Sequence, residues 1–279
     1  MRKIEKFTEK KLLNHFNGIY KACNNTFWYG CGSYLFDGLK YKYDPRMLKK
    51  QQLLFDLAKQ NKSILEVGVY MGHSMLIMLL SNPKLRICGI DIGKTYSPPA
   101  VNYLKKRFLN AKINLILGDS INNLKNINKK FDLYHIDGDH SPHKIYKEII
   151  EVIRINKNKK IKILFDDIDM MKRVEEKIFE YFTVVKFIKP NCRYKNLYVE
   201  LIIEKKQLQK FKNYYYELVI LDLPERIWRN TKPVLKQNLR ILLKMVVGRK
   251  ICNYIGNILC SFENTNIVYY VGKKLKNIK

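Results

Sequence analysis

The sequence predicts an α/β fold in which helices cover both faces of a doubly wound, mostly parallel sheet of seven strands. Three observations support this fold class. An apolar run ends in a glycine turn at residues 64–74, strand and helix patterns alternate from Ser63 onward, and a short loop joins the last two strand candidates. Such alternation favours a parallel sheet, whereas a loop too short for a crossover helix requires an antiparallel final pair.

The apolar run at Ile64–Val67 is short enough to indicate a buried strand. Gly68 and Gly72 follow it, and two such glycines let the backbone turn tightly and approach a ligand closely. Ser74 stands where a helix begins and offers free N–H groups. The turn lacks the first close glycine pair of the dinucleotide motif Gly-x-Gly-x-x-Gly. Glu66 suits a ligand with a positive end better than a pyrophosphate.

The remaining elements follow in order along the chain. The candidate strands are Ile64–Val67, Arg86–Ile90, Ile113–Leu117, Leu133–Ile136, Ile161–Phe165, Thr183–Ile188 and Asn196–Ile203. Helical patterns follow five of them, at Ser74–Leu80, Pro99–Leu109, a helix starting near Ile121, Lys144–Ile155 and Met170–Tyr181. The loop between the last two strands contains Pro190 and is too short to hold a helix.

Three segments are predicted: a preface at 1–60, the α/β domain at 61–204, and a C-terminal extension at 205–279. The preface contains helical patterns at Lys6–Phe16 and from Pro45 to Gln60, around an aromatic loop at Phe27–Tyr43. Aromatic side chains of this loop form either a substrate lid or packing against the sheet. They are Trp28, Tyr29, Tyr34 and Phe36.

The extension carries sixteen Lys and Arg against four Asp and Glu, a net charge of +12. Apolar residues recur in it at helical spacing: Leu235, Leu239, Leu242, Met245 and Val246. We expect a helical extension packed on the domain. The alternative is a basic amphipathic surface for contact with a membrane or with a second copy in a homo-oligomer.

The composition is that of a folded, strongly basic protein. Hydrophobic residues make up 47% of the 279 residues, which excludes wholesale disorder. The net charge of +28 attracts nucleic acid or anionic lipid, although a compositional bias towards Lys, Asn, Ile and Tyr explains it without a partner. The six cysteines form no Cys-x-x-Cys pair, the N-terminus lacks a signal-peptide core, and no apolar run reaches about 18 residues. These features favour a cytoplasmic protein with reduced thiols.

Acidic residues at strand ends are the candidate ligand-binding groups. Asp91 ends the second strand, where a carboxylate can accept both ribose hydroxyls of an adenosine or cap the following turn. After the third strand, Asp119 or Ser120 is a candidate N-cap of the helix near Ile121.

Asp137 follows the fourth strand, and Asp166 and Asp167 follow the fifth. Neighbouring strand ends lie about 5 Å apart, so these three carboxylates are expected to converge. Their mutual repulsion would be relieved by a hard divalent cation such as Mg²⁺, Mn²⁺ or Ca²⁺. The alternative is that Asp137 and Asp139 cap the helix that begins near Ser141.

The segment EVGVYMGHS at Glu66–Ser74 resembles motif I of class I S-adenosylmethionine-dependent methyltransferases. Together with the later motifs, residues 60–205 are similar to the metal-dependent O-methyltransferases of the catechol and caffeoyl-CoA type and to the macrocin O-methyltransferase group. The resemblance implies a Rossmann-like sheet whose last strand is antiparallel. It also implies methyl transfer from S-adenosylmethionine to a hydroxyl of a small molecule or sugar, with Mg²⁺ or another divalent cation.

The resemblance also implies roles for particular residues. The cofactor would be held by Glu66, Gly68, Tyr70, Gly72, Ser74, Asp91, Asp119, Ser120 and Asp137. The metal would be held by Asp137, Asp166 and Asp167, the last of which stands where the family usually has Asn. His140 occupies the position of the family's catalytic lysine, so His140 and Asp137 are the candidate catalytic residues. His140 would act as the base, or else position the substrate or bind the metal.

Two other histidines and two rival functions complete the expectations. His135 lies within a strand and is expected to be a hydrogen-bonded core residue, whereas His73 either contacts the cofactor or caps a helix. The net charge motivates an RNA or other nucleic-acid methyltransferase as the alternative enzyme, although no Asn-Pro-Pro-Tyr motif is present. A non-catalytic scaffold protein built on a methyltransferase fold is the alternative from another class.

Overall fold

The computed structural model describes residues 6–156, 160–192 and 194–216 of the chain. Its strands form a single sheet: β1 Ser63–Val67, β2 Arg86–Asp91, β3 Lys112–Leu117, β4 Leu133–Ile136, β5 Lys160–Phe165, β6 Thr183–Ile188 and β7 Leu197–Ile202. The strand order is β3-β2-β1-β4-β5-β7-β6, and β7 runs antiparallel to both of its neighbours while β1 to β5 are mutually parallel. The predicted fold class, including the antiparallel last strand, is confirmed.

Helices flank the sheet and alternate with β1 to β6. They are α1 Lys6–Ala22, α2 Leu48–Gln60, α3 His73–Ser81, α4 Ser97–Arg107, α5 Ser120–Asn126, α6 Pro142–Asn156, α7 Lys172–Tyr181 and a further helix, α8, at 205–216. Pro45 opens a short 3₁₀ turn ahead of α2, rather than the α-helix itself, and Asp44 caps that turn by accepting the Arg46 N–H at 2.9 Å. The helix α1 continues six residues beyond the predicted end at Phe16, because Ile19 extends its buried face.

The central strands are apolar because both faces of the sheet are covered. Every residue of β1 is buried, whereas β3 and β6 at the sheet edges are largely exposed. The register places Val67 beside Ile90 and Ile136, and Ile136 beside Phe165. The residues that follow β1, β2, β4 and β5 therefore meet along one edge of the sheet.

The helix at 205–216 packs on the α/β domain through Phe211, whose side chain is fully buried. Its ring contacts the rings of Tyr146, Tyr181 and Phe182 at centroid distances of 4.9 to 5.7 Å. The predicted apolar stripe from Leu235 to Val246 lies outside the described residues, as does most of the extension. Within the described ranges, no helix is long and apolar enough to cross a membrane.

Candidate active site

A cavity of about 1000 Å³ opens at the carboxyl ends of β1 to β5, and we call it the strand-end cavity. This volume lies at the upper end of the range for small-molecule sites. Ten of the predicted site residues line it: Gly68, Tyr70, Ser74, Asp91, Asp119, Ser120, Asp137, His140, Asp166 and Asp167. The topology therefore brings together side chains that are as much as 99 positions apart in the sequence.

Glycine is required at the first position of the turn after β1. Gly68 has φ +86°, and a Cβ added there would lie 2.0 Å from the carbonyl oxygen of Asp137. The turns after β1 and β4 can therefore touch only because Gly68 has no side chain. Gly72 has φ +65° and is the N-cap residue of α3, so its part is to shape the turn, and it does not line the cavity.

Asp91 fastens this turn to the end of β2. Its Oδ2 atom accepts the N–H groups of Val69 and Tyr70, each at 2.7 Å, and its Oδ1 atom accepts the Gly93 N–H at 2.6 Å. These bonds fix the carboxylate in the cavity wall. Oδ2 already accepts two N–H groups, but Oδ1 accepts only one, so Oδ1 keeps a lone pair that can accept a hydroxyl group of a ligand.

Asp119 caps α5, as one of the two alternatives predicted, by accepting the Asn122 N–H at 3.0 Å. The neighbouring Ser120 hydroxyl donates to Oε1 of Glu148 at 2.5 Å. Glu148 is fully buried and its Oε2 atom has no hydrogen-bond partner. Burial raises the pKa of Glu148 to about 7, even though the Ser120 hydrogen bond and the charge of Lys144 oppose the change.

The three predicted acids converge, but a lysine lies among them. The ammonium nitrogen of Lys50, on α2, is 2.9 Å from both carboxylate oxygens of Asp166 and 3.4 Å from Oδ1 of Asp167. It also lies 4.4 Å from the centre of the Tyr34 ring. The side chain of Lys50 is only 2% exposed. An ion pair this deeply buried persists only when its partners are close and well oriented.

Electrostatics inside the cavity reflect this crowding. Burial and then the charge of Asp166 raise the pKa of Asp137, and the same two causes raise the pKa of Asp167. Burial lowers the pKa of Lys50, but the charges of Asp166, Asp167 and Asp137 outweigh it, so this pKa is raised. His140 lies close enough to Asp167 for its charge to lower the pKa of that carboxyl.

A family model described as O-methyltransferase matches residues 48–180. Residues 48–180 belong to the O-methyltransferase family. A 99-residue segment is 29% identical to an Arabidopsis thaliana protein whose name proposes caffeoyl-CoA O-methyltransferase activity. That segment covers 34% of this chain and 43% of the plant protein, so the chain spans less than half of this relative.

Solved structures share the fold of this O-methyltransferase-family domain. Cofactor-bound Rv0187 from MTB has a TM-score of 0.53 at 17% identity, over 69% of this chain and 91% of that chain. The O-methyltransferase TomG from Streptomyces achromogenes, solved with SAM, has a TM-score of 0.50 at 15% identity, over 68% and 90%. A Bacillus cereus O-methyltransferase, solved with SAH, has a TM-score of 0.50 at 15% identity, over 69% and 91%.

The divalent cation implied by the family resemblance does not fit the residues present in this O-methyltransferase-family domain. The place where Asp166 and Asp167 could share a metal is taken by the ammonium group of Lys50. Among the described residues, no group of three or more His, Cys, Asp or Glu is arranged to hold a metal ion.

Glu66 lies in the core, beneath the cavity, and does not line it. Its Oε1 atom is 3.0 Å from Nδ1 of His135, the residue directly opposite it on β4. The other ring nitrogen of His135 lies 2.8 Å from the Tyr34 hydroxyl, which also accepts a hydrogen bond from Asn196 at 2.8 Å. His135 is thus the hydrogen-bonded core histidine that was predicted. The expected contact between Glu66 and the cofactor stays a prediction, and this buried network does not favour it.

His73 holds the aromatic loop of the preface against the glycine turn. Its Nδ1 atom lies 2.7 Å from the Ser33 hydroxyl and its Nε2 atom 2.9 Å from the Tyr41 hydroxyl. Burial lowers the pKa of His73 to about 3. Tyr34 and Phe36 are buried and pack on the domain, whereas Trp28 is 69% exposed and Tyr29 73% exposed at the mouth of the cavity. The packing alternative therefore describes Tyr34 and Phe36, and the substrate lid stays a prediction.

Sequence reasoning did not identify Lys50, Glu148 or Asn196 as members of this region. A signal for Lys50 exists in the sequence. It lies three, four and seven residues before Leu53, Leu54 and Leu57, on the face of α2 that is buried. A lysine within an apolar helical stripe is rarely buried without a partner. The pattern therefore predicts that Lys50 pairs with an acidic side chain.

Proposed function

We propose that this chain is an S-adenosylmethionine-dependent O-methyltransferase whose acceptor is a hydroxyl group of a small molecule or sugar. The observation that carries the proposal is the charge of the strand-end cavity. Seven Asp residues but only two Lys residues line it, in a chain whose net charge is +28. Such a cavity attracts a cationic ligand, and S-adenosylmethionine carries both an ammonium and a sulfonium group. It repels the phosphates of a nucleic acid.

The lining residues fit this cofactor. Asp91 is fixed in the wall with one lone pair of Oδ1 available for a ribose hydroxyl, and Asp119 and Ser120 line the same cavity at the end of β3. When bound, S-adenosylmethionine supplies a methyl group whose bond to sulfur breaks as its bond to the acceptor oxygen forms. In this proposal His140 accepts the proton of the acceptor hydroxyl, and S-adenosylhomocysteine is released.

The acceptor would enter between the acids and the aromatic mouth of the cavity. Trp28 and Tyr29 present exposed rings there, and such rings pack well against the flat face of a sugar or an aromatic alcohol. The family membership of residues 48–180 supports hydroxyl acceptors in general.

The first test is a calorimetric titration of the full chain with S-adenosylhomocysteine. Micromolar binding supports the cofactor assignment, and the absence of binding would overturn the proposal. The second test follows transfer of a labelled methyl group from S-adenosylmethionine to a panel of sugars, phenols and RNA. Transfer to RNA alone would replace the proposal with the nucleic-acid alternative.

A pair of histidine variants separates chemistry from binding. The variant His140→Gln should lose methyl transfer while its affinity for S-adenosylhomocysteine stays close to that of the parent, because His140 is proposed to act on the acceptor. The matched control is His143→Gln, three residues along the chain and outside the cavity lining. Equal activity in the two variants would remove His140 from the mechanism.

A further inference from the structure

Lys50 has the placement of a resident cation. It is nearly completely buried, and its ammonium lies against Asp166 on one side and the Tyr34 ring on the other. Its neighbours on the same face of α2, Leu53, Leu54 and Leu57, are buried in the core and hold the helix against the domain. The lysine therefore cannot leave the acids without moving α2, unlike a surface lysine that swings freely.

The charges make a lysine and a divalent metal alternatives at this point. Three carboxylates need positive charge nearby, and either cation can supply it. A metal bound between Asp166 and Asp167 would lie within a few ångströms of the Lys50 ammonium, where two positive charges repel each other strongly in a poorly solvated site. Both carboxylate oxygens of Asp166 and Oδ1 of Asp167 already lie within 3.4 Å of that ammonium, so a metal bound there would have to share them with it.

We propose that the Lys50 ammonium takes the place of the divalent cation in this chain, so that the converging acids bind no metal while Lys50 is present. The inference deepens the proposed function, because the same acids face the proposed acceptor site. It assigns Lys50 as the positioning residue that holds Asp166 and Asp167 in the cavity wall. Methyl transfer by the chain is then independent of added divalent cations and of EDTA.

The test is a titration of the EDTA-treated full chain with Mn²⁺, followed by electron paramagnetic resonance of the free ion. The parent chain should show no saturable binding in the micromolar range. The variant Lys50→Met keeps an unbranched side chain, one atom shorter than lysine, and removes the charge, so it should gain Mn²⁺ affinity by more than about tenfold. Adding Asp166→Asn to that variant should abolish the gain.

The matched control is Lys49→Met, which removes an exposed lysine from the adjacent position of α2 and should leave Mn²⁺ affinity unchanged. Micromolar binding by the parent chain, lost on Asp166→Asn, would overturn the inference. So would a folded Lys50→Met variant that gains no affinity. If Lys50→Met does not fold, the titration of the parent chain still shows whether the acids bind a divalent metal or are neutralised by Lys50 alone.

This titration uses neither cofactor nor acceptor. A failure of the inference is therefore distinguishable from a failure of the proposed function, which is decided by binding of S-adenosylhomocysteine. If the chain binds S-adenosylhomocysteine and also binds Mn²⁺ through Asp166, the proposed function stands and the inference about Lys50 is wrong. If the chain binds neither, the inference about Lys50 stands and the proposed function is wrong.

Discussion

Replacing Gly68 by alanine tests whether the close approach of two turns builds the site. At this position φ is +86°, and an added Cβ would lie 2.0 Å from the carbonyl oxygen of Asp137 and 2.5 Å from its carbonyl carbon. Both are main-chain atoms, which cannot rotate out of the way as the end of a side chain could. Alanine would therefore force the turns after β1 and β4 apart.

Gly30 provides the control from which the magnitude is worked out. Its φ of +85° is almost the same, but nothing lies within 4 Å of a Cβ added there. An alanine in this left-handed region costs about 1–2 kcal/mol, and this is the whole expected effect of Gly30→Ala. Gly68→Ala adds an overpacking cost of about 1–3 kcal/mol. Because the clash is with main chain, we expect a total loss of about 3–5 kcal/mol.

The assay is urea unfolding of the full chain followed by far-UV circular dichroism, with the free energies of unfolding compared between variants. The difference between Gly68→Ala and Gly30→Ala isolates the contact with Asp137. Affinity for S-adenosylhomocysteine should fall in Gly68→Ala, because the cavity wall moves. If the two variants lose the same free energy of unfolding, the contact between Gly68 and Asp137 does not limit the size of this residue, and the reasoning is refuted.

Three further predictions concern charged and titrating groups. The pKa of Glu148 is about 7 in the folded state against an ordinary 4.5, so the folded state holds the proton more tightly and loses stability as the pH rises between these two values. The variant Glu148→Gln should therefore be about 3 kcal/mol more stable than the parent at pH 8 and as stable as the parent near pH 4. An equal difference in the free energy of unfolding at both pH values would contradict this. Asp91→Asn should weaken S-adenosylhomocysteine binding about tenfold or more in calorimetry, because an amide nitrogen cannot accept the N–H bonds that a carboxylate oxygen accepts. The control Asp132→Asn, at the opposite end of the sheet where Oδ2 also accepts two backbone N–H groups, should leave that affinity unchanged. The pKa of His73 is lowered from 6.5 to about 3, so below pH 6.5 the unfolded state binds a proton that the folded state does not. The free energy of unfolding of the parent should therefore fall by about 1.4 kcal/mol for each pH unit below 6.5. His73→Gln should remove this slope in urea titrations at acidic pH.

The sheet could be predicted because each strand carries its own local signal. A strand buried on both faces is mostly apolar, as β1, β4 and β5 are, and turn residues mark the ends of β1 to β5. The antiparallel direction of β7 followed from the length of its loop alone. Helix ends were less predictable, and the end of α1 depends on Ile19 meeting the core, which is a tertiary contact that no local pattern contains.

The site could be predicted only to the extent that topology dictates it. Parallel strands end at one edge, so acids after β4 and β5 had to converge there, and they do. The partner of those acids comes from 116 residues earlier, because α2 packs Lys50 against Asp166. Likewise, the pairing of Glu66 with His135 depends on the register between β1 and β4. Sequence motifs carry neither the packing of a preceding helix nor the register of two strands.

The net charge of the chain does not predict the charge of the candidate site. The +28 of the whole chain favours a polyanionic partner, yet the strand-end cavity is lined by seven Asp and two Lys. Exposed charges are screened within about 8 Å at physiological ionic strength, so most surface lysines act weakly on a ligand inside the cavity. The nearby carboxylates are fixed by strand ends and caps and act over contact distances. In the proposed function, the acids therefore decide which ligand binds at this edge of the sheet.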